Sequence, residues 1–387
     1  MNINKMKRRL HQIKCAFTYY MVFVISKLSK NENKYWLIAE RGKDARDNGY
    51  VFYRYLKKEH PEIPLKYAIT KDSPDRNRID DKDVIEYGSL KHYFFYITSP
   101  MLLSTHYQGY SPNFELFSQL DRYGLIRVQG KKILLDHCVR MGKAGCTKDR
   151  VKIDMMVCSI QREFDALSRN SGYNPGVLCN IGMPRFDNLY RSIGKPTKRQ
   201  ILFMPTWRVK YTNATEKQFK NDEYFKTCKS ILESTKLNDF LEKNDLTFVF
   251  YPHIEMQKFI YLFDTQFNRI NIKEARTAIV EDLLIESQIL ITDYSSVFFD
   301  FAYMLKPIIY FQFDNEENLM EKDNRWFDFE KDGFGPVCYS IDQLLDYLNT
   351  IDLKYTAKKY LLRIEETFGV KDDKNSESVF AAISKLM

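Results

Sequence analysis

Residues 288–314 read QILITDYSSVFFDFAYMLKPIIYFQFD, and their pattern decides the fold. Gln288 to Ile291 is a short apolar, β-branched run. Phe298, Phe299, Ala302 and Tyr303 then recur at helical spacing until Lys306-Pro307 stops the helix, and a second apolar run follows. Strand, turn, helix and strand in this order make a βαβ unit. The turn Thr292-Asp293-Tyr294-Ser295-Ser296 has two readings. A helix N-terminus there offers backbone N–H groups, two hydroxyls and the positive end of a helix dipole, which suit a phosphate or pyrophosphate. Asp and Ser are equally the preferred capping residues, so the turn also reads as an ordinary helix start.

Outward from this unit, short apolar runs alternate with helical stretches, as in an α/β protein with parallel sheets. Expected strands in the first half are 35–40, 65–70, 84–87, 102–105, 132–136 and 155–159. A second series is expected at 201–204, 247–251, 271–273, 289–292 and 308–312. One helix is expected over 49–60, ending before Pro61. Residues 192–199, Ser-Ile-Gly-Lys-Pro-Thr-Lys-Arg, are polar with Gly and Pro and read as a linker. A chain of 387 residues exceeds one ordinary core. The expected organisation is a basic, apolar N-terminal segment (1–30), a first Rossmann-like domain (31–191) and a second (192–387). Two doubly wound domains joined in this way usually hold ligand in the cleft between them, beyond the carboxyl ends of the strands.

Polar residues do cluster after expected strands: Glu40-Arg41, Ser104-Thr105-His106, Asp136-His137, Pro205-Thr-Trp-Arg208 and Pro252-His253. Histidine titrates near neutrality, so His137 at a strand end is a candidate general base, with a structural role as the alternative. Asp136 is a doubtful partner for it, because neighbouring strand residues face opposite ways. His253 can donate to a phosphate oxygen, and the planar fork of Arg208 suits a phosphate, the alternative for Arg208 being a surface salt bridge. Trp207 reads as packing and Asp300 as an internal hydrogen-bond partner.

The stretch 40–50, which contains Arg46, Asp47 and Asn48, is either a polar acceptor loop or a solvated turn leading into a capped helix. Arg185 and Asp187, in Gly182-Met-Pro-Arg-Phe-Asp187, either fix a hinge or face ligand. A metal site is not expected: Asp81-Lys-Asp83 sits in a charged turn, and the Cys and His residues lack ligand spacing.

Composition narrows the classes. Hydrophobic residues make up 44% and charged residues 28%, which supports packed cores rather than disorder. The net charge of +8 is spread out, without zinc-finger spacing or an RNP-like motif, so no nucleic-acid partner is expected. An anionic substrate or membrane surface accounts for that excess. No G-x-G-x-x-G follows the first strand and no P-loop motif occurs, which disfavours dinucleotide redox chemistry and P-loop hydrolysis. Seven scattered cysteines without C-x-x-C fit a reducing cytosol. Near the N-terminus, Lys5, Lys7, Arg8, Arg9 and Lys14 adjoin an apolar, aromatic run over 16–25 that is too short to span a bilayer. It reads either as peripheral attachment to the cytoplasmic leaflet or as an amphipathic helix packed on the body.

MPTWR (204–208), YPH (251–253), ITDYSSVFFDFA (291–302), KPIIYFQFD (306–314) and DGFGPV (332–337) together resemble the CDP-glycerol glycerophosphotransferase family of teichoic-acid and capsule polyol-phosphate transferases. Residues 40–61 and 182–189 resemble the same family. The resemblance implies a GT-B-like fold of two Rossmann-type domains. It also implies transfer of glycerol phosphate or a related polyol phosphate from a CDP-activated donor to a hydroxyl of a lipid-linked or polymer acceptor, with release of CMP. By motif, His137 is then the base. His253, Arg208 and the turn Thr292, Asp293, Ser295 and Ser296 face the donor phosphates, with Arg46, Asp47, Asn48 and Arg185 toward the acceptor or hinge. No cofactor is firmly implied. The family's usual His-Gly is His137-Cys138 here. Two other readings are a GT-B glycosyltransferase using a nucleotide sugar and a non-catalytic subunit of a polysaccharide assembly complex.

Overall fold

The computed structural model describes residues 3–28, 34–142, 147–314, 326–352 and 356–387. Its chain divides into two compact units, 1–139 with 144–187 and 373–387, and 140–143 with 188–372. Cys146 and the expected boundary at 30/31 lie outside the described residues.

The first unit holds a seven-stranded sheet: β1 (Trp36–Ala39), β2 (Leu65–Ile69), β3 (Val84–Glu86), β4 (Met101–Ser104), β5 (Lys131–Leu134), β6 (Met155–Cys158) and β7 (Leu178–Asn180). Its order is β3-β2-β1-β4-β5-β6-β7, and every pairing is parallel. The order reverses between β1 and β4, which sets the switch point of a doubly wound sheet. Strands β1, β4 and β6 are buried at every residue, as parallel strands covered on both faces must be.

The second unit holds six strands: β8 (Gln200–Met204), β9 (Thr247–Phe250), β10 (Ile270–Ile272), β11 (Ile289–Thr292), β12 (Ile308–Phe311) and β13 (Val337–Cys338). The order β10-β9-β8-β11-β12-β13 is again parallel throughout. After β11 the helix Val297–Tyr303 buries Phe298, Phe299, Phe301, Ala302 and Tyr303, so it is an interior element. Lys306 ends that segment and donates its ammonium to the carbonyls of Leu284, Ile285 and Ser287, capping the helix Val280–Glu286. Gly335 has no side chain because a Cβ there collides with the carbonyl oxygen of Ile308.

The ends of the chain differ from expectation. Residues 373–387 return to the first unit rather than completing the second. Asp187 accepts hydrogen bonds from the backbone N–H groups of Asn375 and Ser376 at 2.7 and 3.0 Å, fixing the start of the helix Asn375–Ser384. Phe380 on that helix stacks on Trp36 and on His60. Asp187 is thus a fastening within the first unit.

The N-terminal helix Ile3–Leu28 also belongs to the first unit, not to a separate segment. Cys15, Tyr19 and Val22 are buried in the same core as Tyr93, Tyr96 and Ile97 of the helix Leu90–Thr98. The Tyr19 hydroxyl donates to the Arg127 carbonyl at 2.7 Å and accepts from the Arg127 N–H at 2.8 Å. No described helix is long and apolar enough to cross a membrane.

Candidate active site

In the first unit the reactive groups lie just past the carboxyl ends of β1, β4 and β5, three neighbours in the sheet. After β1, the buried Glu40 carboxylate accepts from the backbone N–H groups of Arg46, Asp47 and Tyr50 at 3.0, 3.2 and 2.7 Å. That grip shapes the loop. Burial, followed by the nearby Asp47 charge, pushes the Glu40 carboxyl up to about 8. Arg46 is committed to Asp75 through two bonds of 2.6 Å. Asp47 caps the helix Asn48–Glu59.

Asn48, fully buried, joins three loops. Its Nδ2 donates to the Asp136 carbonyl at 2.8 Å, and its Oδ1 accepts from the Arg185 N–H at 2.9 Å. Arg185 in turn donates to Asp47 at 2.8 Å and to the His137 carbonyl at 3.0 Å. Asn48 and Arg185, the latter held by Asp47, therefore support the loop that presents His137, whereas Arg46 is spent on Asp75.

The Asp136–His137 relationship departs from expectation. Strand β5 ends at Leu134 and Asp136 has a φ of 56°, so strand alternation no longer applies. Its Oδ1 accepts from the His137 N–H at 2.7 Å and stands 3.3 Å from Nδ1 of the same residue. The Thr105 carbonyl is also 3.3 Å from Nδ1, and the His106 ring stacks on His137 with centroids 4.2 Å apart. Burial pulls the imidazolium toward the neutral form, but Cys138 and Asp136 outweigh it and leave the ring raised to about 10.

In the second unit the corresponding groups follow β8, β9, β11 and β12, again adjacent strands. Arg208 is fully buried, and Nε, Nη1 and Nη2 all donate within the protein: to both oxygens of Asp314 at 2.8 and 2.7 Å, to the Thr206 carbonyl at 2.7 Å and to Asp293 at 2.8 Å. The rings of Tyr224, Tyr294 and Phe313 surround it, and the Asp293 and Asp314 charges hold it protonated against the cost of burial. Neither a surface salt bridge nor a reach toward phosphate describes this guanidinium. It ties the loops after β8, β11 and β12 together.

Asp293 also accepts from the Thr206 N–H and hydroxyl at 2.8 and 2.6 Å, while the Thr292 hydroxyl donates to the Met204 carbonyl. Both residues are fully buried and serve the framework. Thr206, Trp207, His253, Ser295 and Ser296 are half-buried, with Trp207 packed against the core of this unit. The His253 ring stacks on Trp207 at 6.1 Å, and its Nδ1 accepts from the Glu255 N–H. Ser296 occupies the N-cap position of the helix Val297–Tyr303 but makes no capping hydrogen bond with its side chain.

Sequence reasoning missed Glu40 as loop organiser, Asp314 as the second Arg208 partner, and the grouping of Asp136, His137 and Cys138, whose ligand atoms all lie within 4.8 Å of one another. The signal for Asp314 was its place at the end of the apolar run 308–313.

Two all-parallel sheets, each gathering polar side chains past adjacent strand ends, define a doubly wound α/β protein. The chain belongs to the CDP-Glycerol:Poly(glycerophosphate) glycerophosphotransferase family, which it matches over residues 19–385. It is 29% identical to the minor teichoic acid biosynthesis protein GgaB of Bacillus subtilis (strain 168), over 99% of this chain and 43% of GgaB. To the teichoic acid poly(glycerol phosphate) polymerase of the same organism it is 21% identical, over 90% of this chain and 48% of that protein. The chain thus spans less than half the length of these two relatives. In fold it is similar to the wall teichoic acid polymerase TagF, with a TM-score of 0.69 at 16% identity, covering 100% of this chain and 98% of the TagF chain.

Proposed function

We propose that this chain transfers glycerol phosphate, or a related polyol phosphate, from a CDP-activated donor to a hydroxyl of a lipid-linked or polymer acceptor. The acceptor oxygen attacks the β-phosphorus, the bond from that phosphorus to the bridging oxygen breaks, and CMP leaves. His137 takes the hydroxyl proton, and its raised pKa makes it a stronger base once the ring is neutral. His253, Ser295 and Ser296 meet the diphosphate with N–H and O–H donors, where charge builds on the departing nucleotide. Arg208, Thr292 and Asp293 act through the framework. The organisation proposed is GT-B-like, with the acceptor assigned to the first unit and the nucleotide to the second.

The observation that carries this reading is His137 at the end of β5, set against Asp136 at 3.3 Å, in a chain of this family. Incubation with a panel of CDP-polyols and nucleotide sugars tests it. Release of CMP supports a phosphotransferase, whereas release of a nucleoside diphosphate marks a glycosyltransferase and removes the proposal. The presence of Cys138, which helps hold His137 protonated, favours a second reading as a non-catalytic subunit of a polysaccharide assembly complex. Donor binding without any nucleotide release selects that alternative.

We also place the protein on the cytoplasmic face of an anionic membrane. Met6, Leu10, Ile13, Phe17, Val24 and Leu28 form an exposed stripe on the N-terminal helix, on the side away from Cys15, Tyr19 and Val22. Lys7, Arg8, Arg9, Lys14 and Lys27 lie along the same helix. An apolar stripe among basic residues suits the headgroup boundary of anionic lipid.

A further inference from the structure

We propose that Asp136, His137 and Cys138 form a binding site for a thiophilic divalent cation of the zinc class, and that such a cation, once bound, takes the His137 lone pair away from proton transfer. The inhibitory half of this proposal rests on His137 acting as the base; the binding half does not.

Tetrahedral zinc, with bonds of about 2.0–2.3 Å, sets its ligand atoms about 3.5 Å apart. The Oδ1 of Asp136 and Nδ1 of His137 already stand at 3.3 Å. All three ligand atoms lie within 4.8 Å of one another, so closure requires only a shift of about 1 Å, within reach of a χ1 adjustment at the half-buried Cys138.

The cluster has a rigid floor. Asp136 is buried, its left-handed backbone aims the carboxylate back at its own successor, and its carbonyl is held by Asn48 Nδ2. Stacking of His106 on His137 limits the swing of the second ligand. Neighbours that fix a ligand's orientation are what tune metal sites.

The donor set names the ion. One thiolate, one imidazole and one carboxylate favour zinc, cobalt or copper over magnesium or calcium, which prefer oxygen. Three protein ligands leave a fourth position for water or an acceptor oxygen.

The test uses the full chain, stripped with a chelator and titrated with Co2+. One equivalent is expected to produce a thiolate-to-cobalt charge-transfer band that Zn2+ abolishes and excess Mg2+ leaves intact. Cys138→Ser loses the band and binds Zn2+ at least about tenfold more weakly. Cys179→Ser, at the half-buried cysteine on β7, keeps it. Absence of the band in the intact chain, or its persistence in Cys138→Ser, overturns the site. In the CMP-release assay Zn2+ inhibits the intact chain and is at least about tenfold less effective on Cys138→Ser; equal inhibition of both overturns the inhibitory role. A chain that binds Co2+ in this way but releases no CMP from any donor overturns the transferase reading and leaves the site standing.

Discussion

Arg208 Nη2 donates to Asp293 Oδ2 across 2.8 Å with both side chains fully buried. Asp314 completes the arrangement from the end of β12, so one guanidinium compensates two carboxylates. Removal of one partner from such a group leaves charge buried without compensation, which costs about 3–5 kcal/mol. Arg208→Met is therefore expected to lower the unfolding free energy by that amount, read as a lower urea midpoint. Arg208→Lys, which keeps the charge but not the planar fork, should fall between the two. Equilibrium unfolding of the three proteins decides the matter: an unchanged midpoint in Arg208→Met removes the framework role.

Asn48 supplies a sharper probe of the His137 loop, because it binds the Asp136 carbonyl and the Arg185 N–H with opposite ends of one amide. Asn48→Ala orphans both, at about 1–3 kcal/mol for each buried polar group left without a partner. Asn48→Asp keeps the acceptor toward Arg185 and loses the donor toward Asp136. If Asn48 positions His137, kcat falls roughly ten- to a hundredfold in both variants, with donor KM little changed. A fall in stability with kcat intact would confine Asn48 to folding.

Much of this was legible in the sequence, for reasons specific to parallel sheets. Strands buried on both faces are continuous apolar runs, so β11 was read over its observed residues and its neighbours to within about two residues at either end. The strands missed, β7 and β13, are short edge strands whose Leu178-Cys-Asn180 and Val337-Cys338 give no run to read. The return of residues 373–387 to the first unit is fastened where Asp187 meets Asn375 and Ser376, a contact 188 and 189 residues apart in sequence that local pattern does not encode.

At the candidate site, strand ends identified His137, His253 and the Asp293–Ser296 turn. Which polar groups are spent inside the protein was not legible, because Arg208 and Ser296 both look like anion binders until burial separates them. The grouping of Asp136 with His137 and Cys138 was hidden for another reason: strand alternation forbids it, and a left-handed residue at Asp136 restores it.

Glu40 makes stability depend on pH. In the unfolded chain this carboxyl loses its proton near the reference value of 4.5, and in the folded chain only near 8. Between those values the folded chain binds the extra proton, so stability is full below about 4.5 and declines as pH rises toward 8, by on the order of a few kcal/mol. Glu40→Gln removes the ionisation while keeping one carbonyl oxygen for the Arg46, Asp47 and Tyr50 N–H groups, and should flatten the profile in that window. Urea midpoints measured at intervals from pH 5 to about 9 test this; parallel curves for the two proteins would assign the pH dependence elsewhere.

The membrane proposal turns on one face of one helix. Ile13 and Phe17 are 65% and 71% exposed, one helical turn apart, while Tyr19 on the opposite side is 1% exposed and bonded to Arg127. Substitution on the outer face therefore leaves the packing against the helix Leu90–Thr98 untouched. Burial of an Ile or Phe side chain contributes about 1.5–3 kcal/mol, so the double variant Ile13→Glu/Phe17→Glu should weaken binding to anionic vesicles by about a hundredfold or more at an unchanged melting temperature. The charge contribution is separable, because Lys7, Arg9 and Lys14 act through a screened field, Arg8 being paired with Glu115: raised salt should weaken binding of the natural chain to anionic vesicles and have little effect on neutral ones. Flotation with both vesicle types measures both effects. Equal flotation of the natural and double-variant chains would show that the stripe does not meet lipid, whatever the salt dependence.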